Sequence, residues 1–156
     1  MKIEVGSIAP EFSLYDSEKN KVNLSDFKGK NVLVLFFPFA FTSTCTKELC
    51  GVRDNISHYN NSNTQVLGIS VDSLYTLSKY KAEQNLNFPL LSDFNKDISK
   101  AYGSIYHTFG FGMQGVSKRS AFVVDKDGVI QYAEVLENAG EIPDFKAIQN
   151  ALFKVN

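Results

Sequence analysis

The sequence predicts an α/β fold: a central mixed β-sheet flanked by helices and preceded by a short N-terminal β-hairpin. Three observations predict it. Residues 32–37 (Val-Leu-Val-Leu-Phe-Phe) and 65–71 (Gln-Val-Leu-Gly-Ile-Ser-Val) are continuous apolar runs, the pattern of strands buried on both faces. The stretches after each run carry helix-start signals, so the strands are expected to run parallel through helical crossovers. Near the C-terminus, residues 120–124 and 129–134 flank Asp125-Lys126-Asp127-Gly128, where Asp-Gly marks the turn of an antiparallel hairpin.

Taken in order, residues 9–14 form an extended lead-in. Residues 17–20 are polar and turn-like, and residues 21–24 alternate as a second short strand. A turn at Lys28-Gly29-Lys30-Asn31 delivers the first buried strand, which Pro38 ends. Thr42-Ser43-Thr44 supplies hydroxyls suited to an N-cap, and a helix is expected from about Cys45 to His58. After the second buried strand, Asp72-Ser73 caps a helix expected over residues 74–84. Residues 89–93 lead into a short helix near residues 97–102, and residues 108–116 read as a Gly-rich loop. Apolar residues at helical spacing over 142–154 close the chain as a helix, with helices expected on both faces of the sheet.

Composition bounds the function. The chain has 156 residues, which fits one domain spanning residues 1–156. A chain of this length buries roughly 70% of its unfolded surface and needs neither disulfides nor metal to hold a core. With 44% apolar residues, 21% charged residues and a net charge of −1, neither nucleic acid nor an anionic membrane is an expected partner. No apolar run approaches the roughly 18 residues of a membrane span. The N-terminus lacks a basic region followed by an apolar stretch, so a cytoplasmic protein is expected.

Two cysteines are too few for a disulfide scaffold. A free cysteine is often no more than a small buried hydrophobe. Cys45, however, stands where a buried strand has just ended and a helix begins. Helix N-termini present unpaired N–H groups and partial positive charge, a setting that favours the nucleophilic thiolate. Thr42, three residues earlier, has the spacing to turn its hydroxyl toward the same pocket. Pro38 offers no N–H and a fixed φ, so it can shield the sulfur without a competing donor.

The run Pro38-x-x-x-Thr42-x-x-Cys45 resembles the active-site motif of the peroxiredoxins. The likeness extends through residues 36–42 and Glu48, Phe88-Pro89-Leu90-Leu91-Ser92-Asp93, Ala101-Tyr102-Gly103 and Arg119-Ser120-Ala121-Phe122-Val123-Val124-Asp125. It covers nearly the whole chain and implies a thioredoxin-like fold and peroxidase activity without haem, flavin or metal cofactor. By this resemblance Cys45 would be the peroxidatic cysteine, whose thiolate attacks a hydroperoxide and becomes a sulfenic acid. Arg119 would approach the thiolate and stabilise charge during O–O cleavage, Thr42 would bind thiolate and peroxide, and Pro38 would close the pocket. Glu48 would help to position the arginine.

The resemblance leaves two resolving schemes open. Cys45-x-x-x-x-Cys50 is similar to the Q-type branch, where a second cysteine in the same helix resolves the sulfenic acid. Residues 39–41 and 88–93 look more like the E-type branch, which often lacks that cysteine. The first scheme implies a Cys45–Cys50 disulfide recycled by a thioredoxin-like or glutaredoxin-like dithiol, the second an external thiol acting on Cys45. Monomer and homodimer both stay open. On an ideal helix, Cα atoms five residues apart lie roughly 8–9 Å apart, beyond the about 7 Å that a disulfide spans. The helix is therefore expected to unwind before the bond forms. A redox sensor built on Cys45 is the rival from another class.

Other signals point elsewhere less well. His58 and His107 suggest a Cys–His hydrolase only if either nears Cys45, and both read as solvated. Two scattered histidines and one Cys pair are a poor zinc set. Cys-x-x-Cys is absent, and Gly110, Gly112 and Gly115 lack the context of a phosphate loop.

Overall fold

The computed structural model describes residues 3–155. Its centre is a five-stranded mixed sheet. Strand β3 (Asn31–Phe36) runs parallel to β4 (Thr64–Ser70), and β4 is parallel to β5 (Leu90–Ser92). On the other side β3 pairs antiparallel with β8 (Ser120–Val124), which pairs antiparallel with β9 (Ile130–Val135). All six residues of β3 are buried, as its unbroken apolar run requires.

Alternation along β3 divides the core in two. Leu33, Leu35 and Phe37 face one cluster, covered by α1 (Ser43–Asp54), α2 (Ile56–Asn61), α3 (Leu74–Gln84) and α5 (Phe145–Lys154). Val32, Val34 and Phe36 face the other, with Phe12, Leu24 and Tyr102, the last at the end of α4 (Asp97–Ala101). Gly68 of β4 is dictated by packing: a Cβ there would stand 2.8 Å from the Leu90 side chain. The N-terminal hairpin pairs β1 (Ser13–Tyr15) with β2 (Lys21–Asn23), and an Asp16–Leu91 bridge lays it against the β5 edge. Asp16 holds the turn by accepting from the Glu18 and Asn20 N–H groups at 2.9 Å.

Four expectations are corrected. The helix expected over 45–58 begins at Ser43 and breaks at Asn55, whose φ and ψ of −115° and 22° end α1 before α2 starts. The Asn55 side chain donates to the Gly51 carbonyl at 2.8 Å, competing with continuation of the helix. The expected Gly-rich loop is a hairpin of β6 (Ile105–Thr108) and β7 (Gln114–Ser117), turned through a 3-10 turn at Gly110–Gly112. Residues 90–92, read as a lead-in, are the edge strand β5. The last helix starts at Phe145 rather than 142, because Asp144 caps it by accepting from the Ala147 N–H at 3.0 Å.

Among the described residues no helix is long and apolar enough to cross a membrane, and no group of His, Cys, Asp and Glu could hold a metal ion.

Candidate active site

The register of β3 against β8 builds the site. Phe36 pairs with Ser120, so the end of β3 lies beside the start of β8 and Arg119 projects from the residue just before that pair. The chain leaving β3 turns through Pro38, which is buried, and Phe41, at φ +66°, before α1 begins with Thr42 as its N-cap. Cys45, in the first turn of α1, is fully buried in the cluster beneath the helices. The two residues meet across 74 positions of sequence: Arg119 Nη2 donates to Cys45 Sγ at 3.2 Å.

The guanidinium is held on its other sides. Nη1 donates to Glu48 Oε1 at 2.8 Å, and Nε and Nη2 donate to the Ala139 carbonyl at 3.3 and 2.9 Å. Arg119 is 1% exposed and Glu48 is 1% exposed, so this is a buried ion pair with the sulfur as a third member. Burial lifts the Glu48 carboxyl, pushing it up to about 7, and Arg119 reverses that only in part. Oε2 of Glu48 is buried and has no hydrogen-bond partner among the described residues, which adds to the cost of its charged form. Burial disfavours the Arg119 cation, but the adjacent Cys45 and Glu48 outweigh it and hold the guanidinium above its usual range. A fixed cation donating to a sulfur stabilises negative charge there, in the ground state and as charge moves onto a leaving oxygen.

The loop before Cys45 is tied from β4. Asp72 Oδ2 accepts from the Ala40 N–H at 2.8 Å and from the Ser70 hydroxyl at 2.7 Å. Thr42 is the N-cap of α1, three residues before Cys45, but its exposed hydroxyl donates to the Phe39 carbonyl at 2.7 Å rather than to the sulfur. Cys50 lies in α1 with Cys45, half-buried, and both thiols are free. Cys50 Sγ donates to Gln84 Oε1 at 3.5 Å. Next to it, Gly51 is exposed, and a Cβ added there would meet nothing within 4 Å. His58 and His107 are both exposed and make no contact with Cys45 among the described residues.

Residues 5–133 match the AhpC/TSA family. Alkyl hydroperoxide reductase E of Mycobacterium tuberculosis is 37% identical over 153 residues, covering 96% of each chain. The crystal structure of the reduced Plasmodium vivax 2-Cys peroxiredoxin superposes with a TM-score of 0.84 at 31% identity, covering 97% of this chain and 81% of that one. The chain belongs to the AhpC/TSA family and is a peroxiredoxin. A peroxiredoxin-like protein from Aquifex aeolicus, with a TM-score of 0.90 at 18% identity over 100% of this chain and 90% of that one, shares the fold. The family activity is thiol-dependent reduction of peroxides, and the sheet flanked by helices is its thioredoxin fold.

In this peroxiredoxin, sequence reasoning named Cys45, Thr42, Arg119, Pro38 and Cys50, with Glu48 as an aid to the arginine, and the structure brings Cys45, Arg119 and Glu48 into contact. It missed three supports. The Ala139 acceptor is a backbone carbonyl, which no residue type signals. Asp72 read as a helix cap, yet Ser73 alone caps α3, accepting from the Thr76 N–H at 3.2 Å, and Asp72 serves the Cys45 loop instead. Tyr80, within the helix expected over residues 74–84, was not singled out, but its hydroxyl meets that of Thr46 beside Cys45 at 2.8 Å.

Proposed function

We propose that Cys45 is the peroxidatic cysteine and that Arg119 is the group that stabilises the reaction's moving charge. The observation that carries this is the guanidinium 3.2 Å from the sulfur, fixed there by Glu48 and the Ala139 carbonyl. The Cys45 thiolate attacks the terminal oxygen of hydrogen peroxide or an organic hydroperoxide. An S–O bond forms, the O–O bond breaks, and sulfur is oxidised to sulfenic acid as the peroxide is reduced. The departing hydroxide or alkoxide takes a proton and leaves as water or alcohol. Arg119 supports this through fixed N–H donors that need no reorganisation. In this reading Thr42, the N-cap of α1, binds the peroxide, and buried Pro38 keeps water from the sulfur.

Cys50 then attacks the sulfenic sulfur, forming a Cys45–Cys50 disulfide and expelling hydroxide, which is protonated to water. A cytoplasmic dithiol protein of thioredoxin or glutaredoxin type reduces the disulfide by thiolate exchange. Because both cysteines lie in α1, the first turns of that helix unwind to let the sulfurs meet. The test is stopped-flow reaction of reduced protein with hydrogen peroxide, followed by intact mass. A fast reaction giving a product lighter by two hydrogens supports both steps. A rate no better than a free thiol overturns the peroxidatic assignment.

A second reading has an external thiol resolve Cys45 directly. It is favoured by the position of Cys50 in an intact helix, with its thiol engaged by Gln84. It predicts a product heavier by one oxygen, and turnover that survives Cys50→Ser.

A further inference from the structure

The face of α1 that meets α3 carries polar residues at the spacing of successive turns. Thr46 hydroxyl meets the Tyr80 hydroxyl at 2.8 Å, Cys50 Sγ donates to Gln84 Oε1 at 3.5 Å, and Arg53 Nη1 donates to the Gln84 carbonyl at 2.6 Å. Residues four and three apart on one helix thus face residues four apart on the other. Tyr80 grips both flanks of Cys45. Its ring meets Phe41 edge-on at 5.0 Å and Phe37 at 6.5 Å before the cysteine, and its hydroxyl holds Thr46 just after it. The side chain is fully buried. Burial, with the neighbouring Cys45, Cys50 and Glu48, outweighs the lowering by the Thr46 hydroxyl and leaves its phenol pushed up to about 12, so it stays protonated where thiols react.

We propose that Tyr80 is a positioning residue that sets how the oxidised Cys45 divides between resolution and further oxidation. The proposal rests on the reading above, in which α1 must unwind for Cys50 to reach Cys45. The Tyr80–Thr46 contact exists only while that first turn is helical, so it slows unwinding. While the turn stays folded, the sulfenic acid remains beside Arg119, where a second peroxide converts it to sulfinic acid. Breaking the contact shifts the division toward the disulfide.

The experiment compares wild type with Tyr80→Phe, which keeps the ring contacts and removes the hydroxyl. Stopped-flow mixing with peroxide yields the rate of sulfenic acid formation and that of disulfide formation. The ratio of the second to the first should rise roughly three- to tenfold, the scale of one net hydrogen bond. The peroxide concentration at which half of Cys45 becomes sulfinic acid should rise by the same factor. Thr46→Val removes the other partner and should act alike, and the double variant should match either single one. An unchanged or falling ratio overturns the proposal, as do additive effects. If wild type stops at the sulfenic acid, resolution by Cys50 fails. The inference is then tested by the rate at which a small carbon nucleophile traps that acid. Faster trapping in Tyr80→Phe sustains it, and an unchanged rate sinks it.

Discussion

Cys45 and Cys50 share one helix and differ in almost everything around them. Cys45 is sealed from solvent and takes a hydrogen bond from a guanidinium that is itself held by a carboxylate and a carbonyl. Cys50 is half-buried, and its contact is a 3.5 Å approach to a side-chain amide oxygen. The first environment is built to hold charge in place. The second holds a thiol that packs against the edge of the core and has one weak polar partner. One helix thus carries a sulfur fixed by charged partners and, five residues on, a second sulfur held mainly by apolar packing.

The largest break in this contrast comes from exchanging each sulfur for oxygen. Cys45→Ser should reduce the peroxide reaction to background, whereas Cys50→Ser should leave the first oxidation intact and stop at the sulfenic acid. Stopped-flow rates with intact mass separate the two. If Cys45→Ser still consumes peroxide rapidly, the site lies elsewhere.

Arg119 comes next. Arg119→Met should lower the rate of Cys45 oxidation by roughly 10²–10³-fold, the usual effect of removing a fixed donor to developing negative charge. Arg119→Lys should recover part of it, keeping the charge without the fork that reaches Sγ, Glu48 and Ala139 together. Equal rates in all three proteins would show the guanidinium to be structural only.

A smaller effect sharpens the electrostatic side. The Glu48 carboxyl is raised to about 7 in the folded protein, chiefly by burial, against 4.5 without it. The folded state therefore binds more protons than the unfolded state between those values. The stabilising contribution of Glu48 is complete below about 4.5 and is lost as pH rises through about 7. Glu48→Gln keeps an acceptor for Arg119 and removes the titration. Urea unfolding across this window should show wild type losing stability relative to the variant as pH rises. Parallel curves would place the Glu48 titration outside the window.

Much of the fold was legible because burial writes itself into composition. The runs at 32–37 and 65–71 and the Asp-Gly turn at 127–128 each had one reading. The break at Asn55 was not legible, since Ile56 and Tyr59 continue the apolar spacing of α1 and the interruption is a side-chain bond to Gly51. The β6–β7 hairpin was hidden by its glycines: Gly112 and Gly115 adopt positive φ, and β6 is only half-covered. β5 has three residues, too few for any periodicity. At the site, Cys45 and Arg119 could be named from the resemblance of their motifs to the peroxiredoxins, but their contact depends on Phe36 standing opposite Ser120. The Thr42 hydroxyl, expected to face the sulfur, is turned to Phe39 by a local hydrogen bond that spacing does not reveal.

Gly51 carries a last consequence. Nothing presses against it and its φ needs no glycine, so packing does not explain it. What it does is lower the cohesion of α1 at the residue after Cys50, because a helix-interior glycine costs about 0.5–1 kcal/mol relative to alanine. The first turns of α1, which must open for the sulfurs to meet, are held by packing around Cys45, and a glycine just past Cys50 lowers the cohesion of the helix those turns belong to. Gly51→Ala should raise the melting temperature by a few degrees, roughly as that energy dictates for a chain of this size. It should also slow disulfide closure several-fold by the same energy. A firmer helix that closes the disulfide as fast as before would mean that the sulfurs meet by some route other than fraying from its first turn.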